Sequence, residues 1–190
     1  MDKKIVLGSK SPRRQQLMEA AGYSFDTRTL DTDESFGAEM PALQVAEMLA
    51  HRKAEALLPT LSDDEILLTA DSVVILDNTI YNKPETYEEG IQILSQLSNR
   101  THTVATGVCI RTTTNIDSFT VITEVTFESI SREEMDYYLQ HFKPYDKAGA
   151  YGIQDWIGIC KVKKISGSYT NIMGLPMKEV YDHLQKILAI

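Results

Sequence analysis

Apolar and polar positions along this chain fall into blocks that switch between the period of strands and that of helices. Ile5-Val6-Leu7 is a short apolar run that reads as a buried strand, broken at Gly8-Ser9. Ser11-Pro12 reads as a helix start, with Ser11 as cap and Pro12 at the first helical position, and the helix is expected to reach Gly22. Tyr23 to Leu30 reads as a second strand, and Asp31-Thr32-Asp33-Glu34-Ser35 as a solvated acidic turn. Pro41 to Leu58 has the helical period, with an apolar stripe of Leu43, Val45, Ala46, Leu49, Ala50, Ala54 and Leu57. Lys53 lies beside that stripe and by pattern alone belongs to the surface.

Ile66 to Ala70 predicts a buried strand that meets Asp71 and resumes as Ser72-Val73-Val74-Ile75-Leu76. Asp77-Asn78-Thr79 is a turn and Tyr81-Asn82-Lys83-Pro84 a loop. Thr86 to Leu97 is helical, with Tyr87, Ile91, Leu94 and Leu97 on one face. Thr101–Arg111 and Phe119–Phe127 alternate as strands about a turn at 112–117, which predicts an antiparallel pair. Ser131-Arg132-Glu133-Glu134 is a capping-box start for a helix carrying Met135, Tyr138 and Leu139. Residues 144–154 form a loop rich in Gly and Ala. Ile157 to Ile165 reads as a strand, Ser166 to Tyr169 as a turn, and Pro176 to Leu188 as a closing helix. The mixture predicts an α/β fold with a partly antiparallel sheet.

Composition narrows the function classes. At 190 residues the chain is long enough for one good core, or for two small lobes. A formal net charge of -8 gives no overall basic footprint, which argues against nucleic acid as a partner. No apolar run approaches the ~20 residues a membrane span needs, and Met1-Asp2-Lys3-Lys4 does not open a signal peptide. Cys109 and Cys160 form no CxxC pair and are expected to be reduced, buried thiols, so a cytoplasmic protein is expected. His51, His102, His141 and His183 show no metal-ligand spacing and are read as surface or satisfied structural residues.

The candidate chemistry begins at Leu7-Gly8-Ser9-Lys10-Ser11-Pro12-Arg13-Arg14. A strand feeding a helix N-terminus presents backbone N–H groups to an anion. Two arginines in that first turn oppose the helix dipole unless an anion joins them, and their planar forks match phosphate oxygens. This favours a phosphate site over a solvated Arg pair. Asp71 inside an apolar run is either a hydrogen-bonded structural residue or bulge, or a carboxylate that is paired, metal-bound or at a strand end facing a ligand. Lys147 and Gln154 give the 144–154 loop a charge and an amide.

Taken together, Ser9-Lys10-Ser11-Pro12-Arg13-Arg14, Lys53-Ala54, Ala70-Asp71-Ser72-Val73-Val74, Lys83-Pro84, Thr101-His102-Thr103-Val104 with Thr106-Gly107, Asp146 to Gln154, and Gly167-Ser168-Tyr169 with Gly174-Leu175-Pro176 resemble the Maf family, in matching order. These are nucleoside triphosphate pyrophosphatases, also called septum-formation inhibitor proteins. The resemblance covers essentially the whole chain and implies a single Maf-like domain over residues 1–190. It also implies the inosine triphosphate pyrophosphatase-like α/β fold: an elongated mixed sheet flanked by helices, with two lobes around a central cleft. The implied activity is hydrolysis of a nucleoside triphosphate to monophosphate and pyrophosphate with a divalent cation, Mg2+ or else Mn2+, in a homodimer.

The resemblance carries roles residue by residue. Ser9, Arg13, Arg14, Lys53 and Lys83 match positions that bind the triphosphate, and Lys147 is a further phosphate candidate. Asp71 matches the family's proton acceptor and Glu34 an acidic position associated with metal and activity; by its chemistry Asp71 either accepts the water's proton or holds the metal with Glu34. Arg13, Ser72 and Gln154 match positions tied to base choice, in the pattern of the subgroup acting on dTTP and UTP. Three residues depart from the family pattern: Gly8 stands for the usual Ala, Ser72 for Thr, and Asp155 for the common Gly. Ser72 keeps the hydroxyl but lacks a methyl, worth ~1 kcal/mol, so modified pyrimidine nucleotides are also expected substrates. Two other classes stand beside this one: a nucleotide-binding regulator of cell division with incidental turnover, and a phosphomonoesterase, whose aspartyl-nucleophile motif is absent around Asp71.

Overall fold

The computed structural model describes residues 3–37 and 39–188. Strand β1 (Lys4–Leu7) runs parallel to both β2 (Phe25–Thr27) and β3 (Glu65–Leu76), its register on β3 set by Ile5↔Ile66 and Leu7↔Leu68. β4 (Thr79–Tyr81) folds back antiparallel on β3 through Asp77 and Asn78, both at positive φ, as a two-residue hairpin turn demands. With β5 (Thr101–Arg111), β6 (Ile116–Phe127) and β7 (Val162–Ser166), they form one seven-stranded mixed sheet, ordered β2-β1-β3-β5-β6-β7, with β4 on β3. The chain divides into two compact units, residues 1–71, 106–121 and 174–190 in the first, and 72–105 and 122–173 in the second.

In the first unit, α1 (Pro12–Ala20) follows β1 and buries Leu17 and Met18. Ser11 is its cap by position but its side chain makes no capping bond; the Ser9 hydroxyl accepts the Ser11 N–H instead, at 3.2 Å. The second strand is confined to Phe25–Thr27, shorter than its sequence pattern, because β1 ends at Leu7, whose carbonyl accepts one last bond from the Arg28 N–H at 3.1 Å. Helix α2 (Ala42–Leu57) buries Val45, Ala46, Leu49, Ala50, Ala54 and Leu57, whereas Leu43 is exposed, outside the stripe. Val6, Ala50, Ala54, Leu57, Leu67 and Cys109 pack as one cluster. A Cβ at Gly8 would come 2.6 Å from Thr69 Cγ2 and 2.9 Å from Leu57 Cδ1, so an Ala there would require those side chains to shift. The unit closes with α7 (Met177–Leu188), which buries Val180 and Leu184.

In the second unit, α3 (Tyr87–Leu97) starts at Thr86, whose hydroxyl accepts the Glu89 N–H, and α4 (Arg132–Phe142) starts with the complete Ser131–Glu134 capping box. Ile91, Leu94, Leu97, Met135, Tyr138 and Leu139 join Val74, Val104, Val125, Phe127 and Tyr151 in its core. The stretch expected as one strand from Ile157 is instead α5 (Trp156–Lys161) followed by β7, and a short α6 (Tyr169–Met173) replaces part of the expected turn. An apolar run this short carries no decisive period, and the buried Ile157 is satisfied by a helix as well as by a strand. The cysteine expectation is corrected in part: Cys109 is buried, but Cys160 is exposed.

His102 on β5 is buried, its Nε2 2.8 Å from the Tyr151 hydroxyl and its Nδ1 without a hydrogen-bond partner. It is therefore not the satisfied residue the sequence suggested. Burial pulls its pKa down to about 4. An unfolded His titrates near 6.5, so between those pH values the unfolded chain binds the proton and the folded one does not. Folding stability is then expected to fall by about 3 kcal/mol as pH drops from 6.5 to 4. Urea titrations across that range should show the loss, and His102→Gln should flatten it; an unchanged slope in the variant would assign the acid sensitivity to other groups.

Candidate active site

The first unit assembles its polar cluster just past the paired ends of β1 and β3. Gly8 N–H still bonds the Leu68 carbonyl at 2.8 Å, so Ser9 leaves the sheet alongside Thr69 and Ala70. Thr69 faces α2, its hydroxyl donating to the Ala50 carbonyl at 2.7 Å. Two residues along a strand, about 6.6 Å, return a side chain to the same face, and three along a helix advance about 4.5 Å. Asp71 is thereby brought to Lys53. The Lys53 ammonium donates to Asp71 Oδ2 and, at 2.8 Å, to Glu34 Oε1. Lys53 and Asp71 keep only 19% and 15% of their side-chain surface, so their pair counts for more than a surface ion pair. The surface position expected for Lys53 is replaced by this half-buried one.

Glu34 itself is exposed and sits in a segment without regular structure. Its neighbours hold it: Arg52 Nη1 donates to the Asp33 carbonyl at 2.5 Å and the Ser35 carbonyl at 2.8 Å, bridging the backbone on both sides of Glu34. Asp33 accepts from the Ser35 N–H and hydroxyl, and Lys10 reaches Asp31 at 2.6 Å. The acidic stretch is solvated, as its composition suggests, and these bonds tether it. Each bond holds a carboxylate below its ordinary range, Asp31 through Lys10 and Asp33 through Ser35.

Arg14 spends its fork on the protein. Nε donates to the Gly174 carbonyl at 2.7 Å, and Nη1 to the Ala70 carbonyl at 2.8 Å and Ser9 Oγ at 3.3 Å. It thus ties the β1–α1 turn to the carbonyl before Asp71 and to the Gly174-Leu175-Pro176 segment. Burial lowers its pKa, the charges of Asp71 and Glu34 oppose that, and Arg13 reinforces it. Arg13 is half-buried in the first turn of α1, which contains no acidic residue. Two cations thus stand at one helix N-terminus, where backbone N–H groups and the helix dipole also favour an anion, with the Asp71 and Glu34 carboxylates acting on Arg14.

The candidates of the second unit occupy two joined segments. Ser72 follows Asp71 on β3 and is half-buried, while Lys83 is exposed after β4. The Gly149 N–H donates to the Asn82 carbonyl at 3.2 Å, linking the Lys83 segment to the 144–154 loop. On that loop Lys147 is half-buried and pairs with Asp146 at 2.8 Å, and Gln154 is exposed.

Residues 4–187 match the family described as Maf-like protein. The chain belongs to that family. It is 45% identical over 184 residues to the dTTP/UTP pyrophosphatase of Bacteroides thetaiotaomicron, covering 96% of this chain and 95% of that one. It is 43% identical over 185 residues to the protein of the same name from Flavobacterium johnsoniae, covering 97% and 95%. Among solved structures, the Ham1 protein of Staphylococcus aureus aligns over 66% of this chain and 72% of its own, at 16% identity and a TM-score of 0.48.

Among the described residues of this Maf-like chain, no group of three or more His, Cys, Asp or Glu side chains gathers as a metal cage. Two carboxylates, Glu34 and Asp71, converge on one ammonium, and one or two carboxylates with phosphate and water are what a hard divalent cation commonly takes. Arg52 and Thr69 were not singled out by sequence reasoning. The alternation of β3 could have marked Thr69 as facing a helix, but nothing local to Arg52 announces a partner in the 31–35 loop.

Proposed function

We propose that this chain hydrolyses nucleoside triphosphates, dTTP and UTP first and modified pyrimidine nucleotides besides, to the monophosphate and pyrophosphate. The observation that carries the reading is the Lys53 ammonium held between Glu34 and Asp71, beside the Ser9–Arg14 turn. The names of the relatives supply the substrate class.

In the reaction, a water oxygen bonds the α-phosphorus while the bond from that phosphorus to the bridging oxygen breaks and pyrophosphate departs. Asp71 accepts the water's proton at a carboxylate oxygen, which needs it within hydrogen-bond reach of that water. Lys53 holds Asp71 in place and offers charge to the phosphates, and Arg13 with the N-terminal turn of α1 receives negative charge as it builds on the leaving group. Arg14 braces Ser9 and the Ala70 carbonyl. A divalent cation, Mg2+ or Mn2+, held by Glu34 and Asp71 would supply further charge neutralisation at the phosphates. The family resemblance is the support for Lys83 and Lys147 as phosphate-binding residues and for Arg13, Ser72 and Gln154 as residues tied to base choice. The same resemblance supports a single Maf-like domain working as a homodimer in the cytoplasm.

The test is product analysis with Mg2+ and a panel of dTTP, UTP, CTP, GTP and ATP. Pyrophosphate and monophosphate in equal amounts, fastest from dTTP or UTP, are expected. Orthophosphate as the first product would sink the reaction. A purine preference would leave the reaction and remove the assignments of Arg13, Ser72 and Gln154.

A further inference from the structure

Asp155, which follows Gln154, opens α5 but gives that helix no side-chain cap. Its Oδ2 accepts the Tyr138 hydroxyl at 2.7 Å, and the same Oδ2 lies 3.9 Å from Lys147 Nζ. Tyr138, wholly buried on α4, also accepts the Gly152 N–H at 3.0 Å. Burial and the Asp155 bond both raise the Tyr138 pKa, so the phenol keeps its proton and remains a donor. Gly152 is the floor of the arrangement. A Cβ there would come 2.5 Å from Asp155 Oδ2 and 3.0 Å from Lys147 Cε. The Lys147 and Asp155 side chains keep 16% and 23% of their surface, against 61% for Asp146, the other carboxylate on Lys147.

We infer that Asp155 is a positioning residue for Lys147: with Tyr138 as its anchor, it holds the lysine over Gly152 for a substrate phosphate. The inference rests on the reading of Lys147 as a phosphate-binding cation. Lys147 has a long, flexible stem, and its nearer partner, Asp146 at 2.8 Å, keeps most of its side-chain surface exposed. Asp155 is different, because its own rotamer is locked by a donor that cannot move without opening the α4 core. The oxygen that faces the lysine is thus set by buried packing. The same bonds fix the backbone from Gly152 to Asp155, which carries Gln154.

The experiment is a double-mutant cycle on KM for dTTP and on the Kd of inorganic pyrophosphate by calorimetry, using Asp155→Asn and Lys147→Met. Asn at 155 keeps an acceptor for Tyr138 and removes the charge facing the lysine. Lys147→Met should raise both constants at least tenfold, and Asp155→Asn about fivefold with kcat within twofold. In the Lys147→Met background Asp155→Asn should add nothing, since a residue acting through another has no effect once that other is gone. A fivefold rise that persists in that background would overturn the inference and make Asp155 merely structural, as would no rise in the wild-type background. Unchanged constants in Lys147→Met would remove the phosphate role of Lys147 and the inference together. If Asp155→Asn fails to fold, Tyr138→Phe releases the same oxygen, and the same non-additivity is expected.

Discussion

Asp71→Asn is expected to fold as the parent does and to lose turnover by about 10²–10⁴-fold, the range a positioned general base contributes. Asn has the same shape, and its carbonyl can still accept from Lys53, which also keeps Glu34 at 2.8 Å. The surrounding strand does not depend on the charge. Asp71 lies mid-strand in β3, where Leu68, Thr69 and Ala70 on one side and Val73 and Val74 on the other are buried. The melting temperature should therefore move by no more than the equivalent of about 1 kcal/mol, as for an exchange that leaves the packing alone. What is lost is the basicity of one oxygen. Steady-state rates with dTTP beside a thermal melt separate the two effects; a folded variant keeping a tenth of the parent's rate would end the assignment of Asp71 as proton acceptor.

Lys53→Met is expected to lose both activity and stability. Removing one preorganised charge donor from a reaction centre typically costs about 10²–10³ in kcat. Here the same change leaves Glu34 and the half-buried Asp71 without the cation they share. Removing one partner of a fully buried pair costs about 3–5 kcal/mol, and partial exposure should reduce this to about 1–3 kcal/mol. In the double variant with Asp71→Asn, the stability loss should shrink, because no charged partner then remains on β3 to be orphaned. Urea denaturation of the single and double variants measures this coupling. Strict additivity would mean that the Lys53–Asp71 contact contributes nothing to stability.

The two variants also separate what was readable along the chain from what was not. The α2 stripe at Val45, Ala46, Leu49, Ala50, Ala54 and Leu57 is visible in the sequence because burial of one helix face imposes a period of 3.6. The Ser131–Glu134 box is visible because capping is local, made within a few residues of backbone. Ile157 to Ile165 is ambiguous in the sequence because its apolar positions satisfy either period, and its neighbours in space decide between them.

By itself, then, the sequence determined the α/β class and the order of the main elements, and it marked the Ser9 to Arg14 turn as a candidate phosphate site. Those follow from period, capping and charge, which are properties of short stretches. Only the tertiary structure decided who meets whom. It put Lys53 between Glu34 and Asp71, turned Arg14 onto Gly174 and Ala70, set Arg52 across the backbone of the 31–35 loop, and locked Asp155 to Tyr138. Each of these contacts joins segments far apart in the chain. The partner of a charged side chain is set by the packing that brings the segments together, and nothing in the local pattern records it.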